Sequence, residues 1–80
     1  MAERMIVAGI PGIFHRTPAP DAPPYFVDGD RVQPGDTIGL VELMKTFLEV
    51  KSDAAGVIAR FLAEPGQLVD AGQAVAVVRE

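Results

Sequence analysis

Gly29-Asp-Arg-Val32-Gln-Pro-Gly35-Asp-Thr-Ile38-Gly-Leu-Val41 and Gly66-Gln-Leu-Val69-Asp-Ala-Gly72-Gln-Ala-Val75-Ala-Val-Val78 are two copies of one pattern, G-x-x-V-x-x-G-x-x-[IV]-x-x-V, at a constant offset of 37. Self-similarity of this kind is the first thing to seek in a chain, because it dictates architecture. A second match, Gly12-Ile13-Phe14-His15-Arg16 with Gly56-Val57-Ile58-Ala59-Arg60, runs at an offset of 44. The first half therefore holds about seven more residues between Arg16 and Gly29 than the second half does. They are Thr17, Pro18, Ala19, Pro20, Asp21, Ala22 and Pro23, followed by Pro24, and four of the seven prolines of the chain fall here. Proline fixes φ and offers no N–H donor, so the segment cannot run inside a sheet. A stiff loop standing out from one half is the expectation.

Around this frame the chain reads as strands. Short stretches of Ile, Val and Phe are bounded by Gly and Pro, and no 3.6-residue period is sustained over ten residues. Strands are expected near 5–8, 12–16, 25–28, 31–33, 37–43, 46–51, 56–63, 67–70 and 74–79. Gly35 and Gly72, preceded by Pro34 and Ala71, mark tight turns. Many short strands with turn glycines imply an all-β fold: a flattened barrel or sandwich of two roughly four-stranded antiparallel sheets, with a pseudo-two-fold axis relating the halves.

The totals bound the rest. Eighty residues give one domain spanning 1–80. The composition is 49% hydrophobic with a formal net charge of −4, which describes a globular chain. No apolar run approaches the ~18 residues of a membrane span, and Met1-Ala2-Glu3-Arg4 is not a secretory start. There is no cysteine, which fits a cytoplasmic location. The seven basic residues are dispersed, so the clustered cations that nucleic-acid binding needs are missing. Asp28, Asp30 and Asp36 are closely spaced, yet no histidine cluster, nucleophile motif or phosphate loop accompanies them, and turns use Asp for local backbone bonding. No enzyme active site is expected.

The symmetry also singles out Lys45. Segment 37–43 maps onto 74–80 and segment 49–52 onto 5–8, so Met44, Lys45 and the residues after them occupy the place that the two chain ends occupy in the other half. Chain ends are normally exposed, and Lys45 is expected to be exposed in the same way. Alternation places Ile38, Leu40 and Glu42 on one strand face and Thr37, Gly39, Val41 and Leu43 on the other. A two-residue turn at Met44-Lys45 then links 37–43 to 46–51. Such turns favour Asn-Gly because both positions need φ > 0, and Met-Lys breaks that local rule. Violations of this kind point first to function. On spacing alone, Met44 either tucks under the hairpin beside an ordinary solvated lysine or stands at the tip with a task.

Glu42-Leu43-Met44-Lys45 resembles the Glu-Ala-Met-Lys motif of biotinyl domains. Phe14-His-Arg-Thr-Pro-Ala-Pro-Asp21 resembles the region of the protruding thumb in carriers of the acetyl-CoA carboxylase type, and Gly29-Asp-Arg-Val-x-x-Gly-Asp36, Ala55-Gly56-Val57 and Gly66-Gln-x-Val69 also match the family. The likeness covers roughly residues 5–79. It implies a non-catalytic biotin carboxyl carrier with biotin in amide linkage to Lys45, taking a carboxyl group from a biotin carboxylase to a carboxyltransferase, in the setting of fatty acid biosynthesis. A biotin protein ligase would recognise Glu42, Leu43, Met44 and Thr46. The thumb, Thr17 to Pro23, would lie near the biotin ring, with Thr17 and Asp21 as polar candidates for contacting it. Acylation would move the formal charge from −4 to −5. Leu43 stands where the family has Ala, Thr46 where it has Met, and His15 where Tyr is common; Ile10-Pro11-Gly12 is tighter than the usual Pro-x-x-Gly. His15, without a partner motif, is assigned to packing or surface. The rival readings are a lipoyl carrier, which tends to show Asp-Lys-Ala and no thumb, and an unmodified interaction domain of the same fold.

Overall fold

The computed structural model describes residues 2–80. Eight strands follow in order: β1 Glu3–Val7, β2 Gly12–His15, β3 Arg31–Val32, β4 Thr37–Leu43, β5 Thr46–Lys51, β6 Gly56–Phe61, β7 Leu68–Val69 and β8 Ala74–Arg79. They form two four-stranded antiparallel sheets, ordered β1-β8-β6-β3 and β5-β4-β2-β7. Moving the chain by the offsets of the repeat carries β5, β4, β2 and β7 onto β1, β8, β6 and β3, so each sheet is the image of the other. The envelope is flattened, 38 × 26 × 19 Å.

The internal two-fold extends to individual hydrogen bonds. Gly35 N–H donates to the Ser52 carbonyl and Gly72 N–H to the Ala8 carbonyl, both at 2.8 Å. Gln33 N–H is capped by the Asp36 carboxylate at 2.8 Å, and Asp70 N–H by the Gln73 side-chain oxygen at 3.0 Å. Between the sheets lie the inward residues of both halves: Phe14, Val32, Ile38 and Val41 from one, and Ile58, Val69, Val75 and Val78 from the other, all fully buried. Burying each such side chain stabilises the fold by about 1.5–3 kcal/mol.

Two departures from the expected strands have local causes. No strand forms at 25–28. Tyr25 N–H donates to the Arg16 carbonyl at 2.9 Å, Val27 N–H to the Asp30 carboxylate at 2.9 Å, and Asp30 N–H to the Val27 carbonyl at 3.0 Å. The backbone groups that a ladder would need are already spent on a loop closure and a turn. The second half does the same: Glu64 N–H meets the Gln67 side-chain oxygen at 2.9 Å. The simple face alternation along β4 also fails at Ile38, which is buried in the core although Leu40 and Glu42 lie on the outer face. The pairing of β4 with β5 shifts register between Thr37 and Gly39, and such an irregularity turns one extra residue to the same side.

Beyond that irregularity β4 and β5 pair without a break from Gly39↔Val50 to Leu43↔Thr46, which leaves Met44 and Lys45 alone to reverse the chain. Their φ angles are 50° and 64°, the left-handed values of a type I′ turn. At the opposite end Glu3 pairs with Arg79, and Glu80 N–H donates to the Ala2 carbonyl at 2.9 Å, so the two chain ends meet.

Close backbone approach fixes two glycines. A Cβ on Gly12 would strike the Glu42 carbonyl oxygen, and one on Gly56 would strike the Arg79 carbonyl oxygen. Gly12→Ala and Gly56→Ala should each cost about 1–3 kcal/mol, read as a fall in the urea midpoint at unchanged m. At the turn the expected sign is opposite. Met44→Asn should stabilise by about 1 kcal/mol by relieving left-handed strain, raising Tm by roughly 4–8 °C in calorimetry.

Candidate functional site

The β4–β5 hairpin carries its two most strained residues where no packing rewards them. Met44 is 89% exposed and Lys45 is exposed beside it. The alternative in which Met44 tucks under the hairpin is therefore excluded. A non-glycine residue in the left-handed region costs on the order of 1–2 kcal/mol, and here two occur in succession. The paired ladder on either side supplies the constraint that holds them. Leu43, partly exposed, faces Thr46 in the last cross-strand pair before the reversal.

Charge around the tip is arranged so that the amine stands apart. Among the described residues Lys45 makes no ion pair, whereas the hairpin's other lysine, Lys51, lies 3.8 Å from Glu49. Both carboxylates of the hairpin are engaged away from the tip. The Thr37 hydroxyl donates to Glu49 Oε2 at 3.1 Å, and Glu42 Oε1 lies 2.9 Å from His15 Nε2. An exposed primary amine on a rigid reversal, free of a counter-ion, has the chemistry for acylation: it can enter an acyl-transfer site and attack once it has lost its proton.

Beside the hairpin a groove of about 350 Å³ opens between the sheet and the Pro-rich segment. His15 from β2, Leu40 and Glu42 from β4, and Phe47 from β5 form its sheet side; Thr17, Pro18, Ala19 and Pro20 form the other. The His15 and Phe47 rings lie 6.2 Å apart at a tilt of 47°. The base of the Pro-rich segment is anchored by Arg16, whose guanidinium sits 4.0 Å over the Phe61 ring and donates to the Phe26 carbonyl at 3.4 Å.

The expected site residues thus divide. Glu42, Leu43, Met44, Lys45 and Thr46 are gathered on one hairpin end. Of the polar thumb candidates, Thr17 reaches the groove, while Asp21 is not among its lining residues and neither are Ala22 and Pro23. The sequence reading missed that His15 has a partner. Its contact with Glu42 spans 27 residues of chain and follows from the register that sets Ile13 opposite Glu42. The repeat carried the one available signal, since the equivalent of His15 in the other half is Ala59.

Comparison with known proteins agrees with this geometry. The family profile described as "Biotin-requiring enzyme" matches residues 6–78. The biotin carboxyl carrier protein of acetyl-CoA carboxylase 1 from Arabidopsis thaliana chloroplasts is 43% identical over 58 residues, 72% of this chain and 21% of that one. The biotin carboxyl carrier protein of acetyl-CoA carboxylase from Cyanidium caldarium is 37% identical over 85% of this chain and 45% of its own length; that of Haemophilus influenzae is 33% identical over 84% and 43%. The chain spans less than half the length of these relatives. Among solved structures, the urea carboxylase of Kluyveromyces lactis superposes with a TM-score of 0.80 at 28% identity, covering 99% of this chain and 6% of that one. With the profile running through both sheets and the hairpin between them, the chain belongs to the family of biotinyl and lipoyl domains of biotin-requiring enzymes.

Proposed function

We propose that this chain is the biotinyl domain of a biotin carboxyl carrier of the acetyl-CoA carboxylase type, and that biotin is joined by an amide to Lys45. The observation that supports it most is the exposed Lys45 amine on a two-residue turn at positive φ, in a chain whose relatives are named biotin carboxyl carriers. Biotin, when bound, supplies a ureido nitrogen that takes up and releases a carboxyl group. The residues of the chain do the rest. Lys45 provides the linking nitrogen and, through its four-carbon stem, reach. The rigid ladder of β4 and β5 keeps that reach centred on one direction. Tethering replaces diffusion between a biotin carboxylase site and a carboxyltransferase site by an effective concentration on the order of millimolar.

In this reading Glu42, Leu43, Met44 and Thr46 are the surface that a biotin protein ligase reads. Met44 offers an adaptable apolar contact beside the amine, and Leu43 with Thr46 sets the width of the hairpin just below it. Residues 17–20 of the thumb form one wall of the groove at the base of the hairpin, with Thr17 as their polar contribution. The carrier itself catalyses nothing; both chemical sites belong to partners.

Incubation with biotin protein ligase, biotin and ATP should add one biotin to the chain by intact mass, and Lys45→Ala should abolish streptavidin binding while leaving the thermal melt within about 0.5 kcal/mol of the parent, since an exposed side chain is removed. Label on Lys51, or a lipoyl rather than a biotinyl mass from cells holding both ligases, would overturn the assignment. Excising residues 17–23 should keep stability within about 1 kcal/mol, because the Arg16–Tyr25 hydrogen bond already brings the loop ends together and loop length weighs little. The same excision should leave ligation intact and slow carboxyl transfer in the assembled carboxylase.

A further inference from the structure

Because its two halves are images of each other, the protein contains its own control. Two outer-face positions, facing each other on neighbouring strands, can be compared directly. In the half without the Met44-Lys45 tip they are Arg79 on β8 and Glu3 on β1. Arg79 and Glu3 face each other across the ladder and pair directly at 3.3 Å. In the hairpin half the same positions hold Glu42 on β4 and Phe47 on β5; His15 on β2 lies beside them with no direct counterpart in the ladder, because the pairing of β6 with β8 shifts register between Ile58 and Arg60. Glu42 again faces its cross-strand neighbour, but that neighbour is now Phe47, which cannot pair with a carboxylate.

Glu42 therefore has two cationic or donor groups within its part of the fold. One is His15, on the strand on its other side. The other is Lys45, three residues along the same hairpin. The structure has the carboxylate on His15 Nε2, at 2.9 Å, with both side chains about one-third exposed. The remaining neighbours bring no competing charge: Phe47 and Leu40 are apolar, and the facing thumb residues Thr17, Pro18, Ala19 and Pro20 are uncharged. Glu49, the only other carboxylate of the hairpin, is held at the far end by Thr37 and Lys51.

The geometry points to His15 as a positioning residue for acylation of Lys45: it holds the Glu42 carboxylate down in the groove and so keeps a counter-ion off the amine that must be uncharged to react. A carboxylate close to a lysine favours the ammonium form, which is not a nucleophile. Phe47 contributes by removing the direct cross-strand partner and by packing against the imidazole ring. This inference rests on Lys45 being the acylated residue, and it is separable from that reading because amine reactivity can be measured without a ligase.

The test is chemical acylation of the folded full chain by a small water-soluble activated ester across pH 7–10, with Lys45 and Lys51 followed separately by peptide mass spectrometry. His15→Ala should release Glu42 and slow Lys45 about two- to fivefold at the neutral end of that range, as expected for an exposed ion pair. The effect should fade in 1 M salt. Lys51 should be unchanged. His15→Gln, which keeps a donor, should restore the parent rate, and so should Glu42→Gln combined with His15→Ala. An unchanged Lys45 rate in His15→Ala would overturn the inference. So would slowing that persists in the double variant, or slowing shared equally by Lys51. Ligase kinetics can then fail or succeed without bearing on this result.

Discussion

The unbroken pairing of β4 with β5 near the tip is the constraint from which the rest follows. Cross-strand contacts running down to Leu43↔Thr46 leave two residues to reverse the chain, and the type I′ turn that does so matches the right-handed twist with left-handed values at both. Met and Lys accept those values because the ladder has no slack to offer them anything else. The strain is small beside the stability gained from the core, but it has a consequence that packing alone would not give. The Lys45 side chain leaves the fold in one direction, from a backbone that cannot wander.

Internal symmetry explains why that turn sits where it does and why it stands alone. Duplicated sheets bury the same kind of residue from both sides, with Phe14, Ile38 and Val41 answered by Ile58, Val75 and Val78. The half ending at the chain termini needs no reversal, and its outer face is an ordinary ion-paired surface of Arg79 and Glu3. The half ending at Met44-Lys45 has Glu42 and Phe47 at those two positions and carries the Pro-rich wall besides. Function lies in the differences between the halves, and structure in what they share.

Much of this was legible in the chain itself because glycine spacing and apolar triplets are local signals. The offsets of 37 and 44 led to two matched sheets, the extra loop and the exposed hairpin. The segment Tyr25–Asp28 reads as a strand because of its apolar residues, yet it forms a loop and a turn. Only the fold shows that Asp30 takes up Val27 N–H and Arg16 takes up Tyr25 N–H. Ile38 turned inward against simple alternation because a register irregularity at Thr37–Gly39 depends on the partner strand. The engagement of His15 with Glu42 was out of reach for the same reason. It is set by which strands become neighbours, and nothing within a few residues of either side chain announces it.

The central claim, that the positive-φ hairpin exists to present one amine for a covalent cofactor, is tested most directly by tryptic peptide mapping of the chain recovered from cells. Trypsin cuts after unmodified lysine. The expected result is an uncut peptide spanning residues 32–51 that carries the mass of one biotin on Lys45. Complete cleavage after Lys45, with biotin absent or found on Lys51, would contradict it.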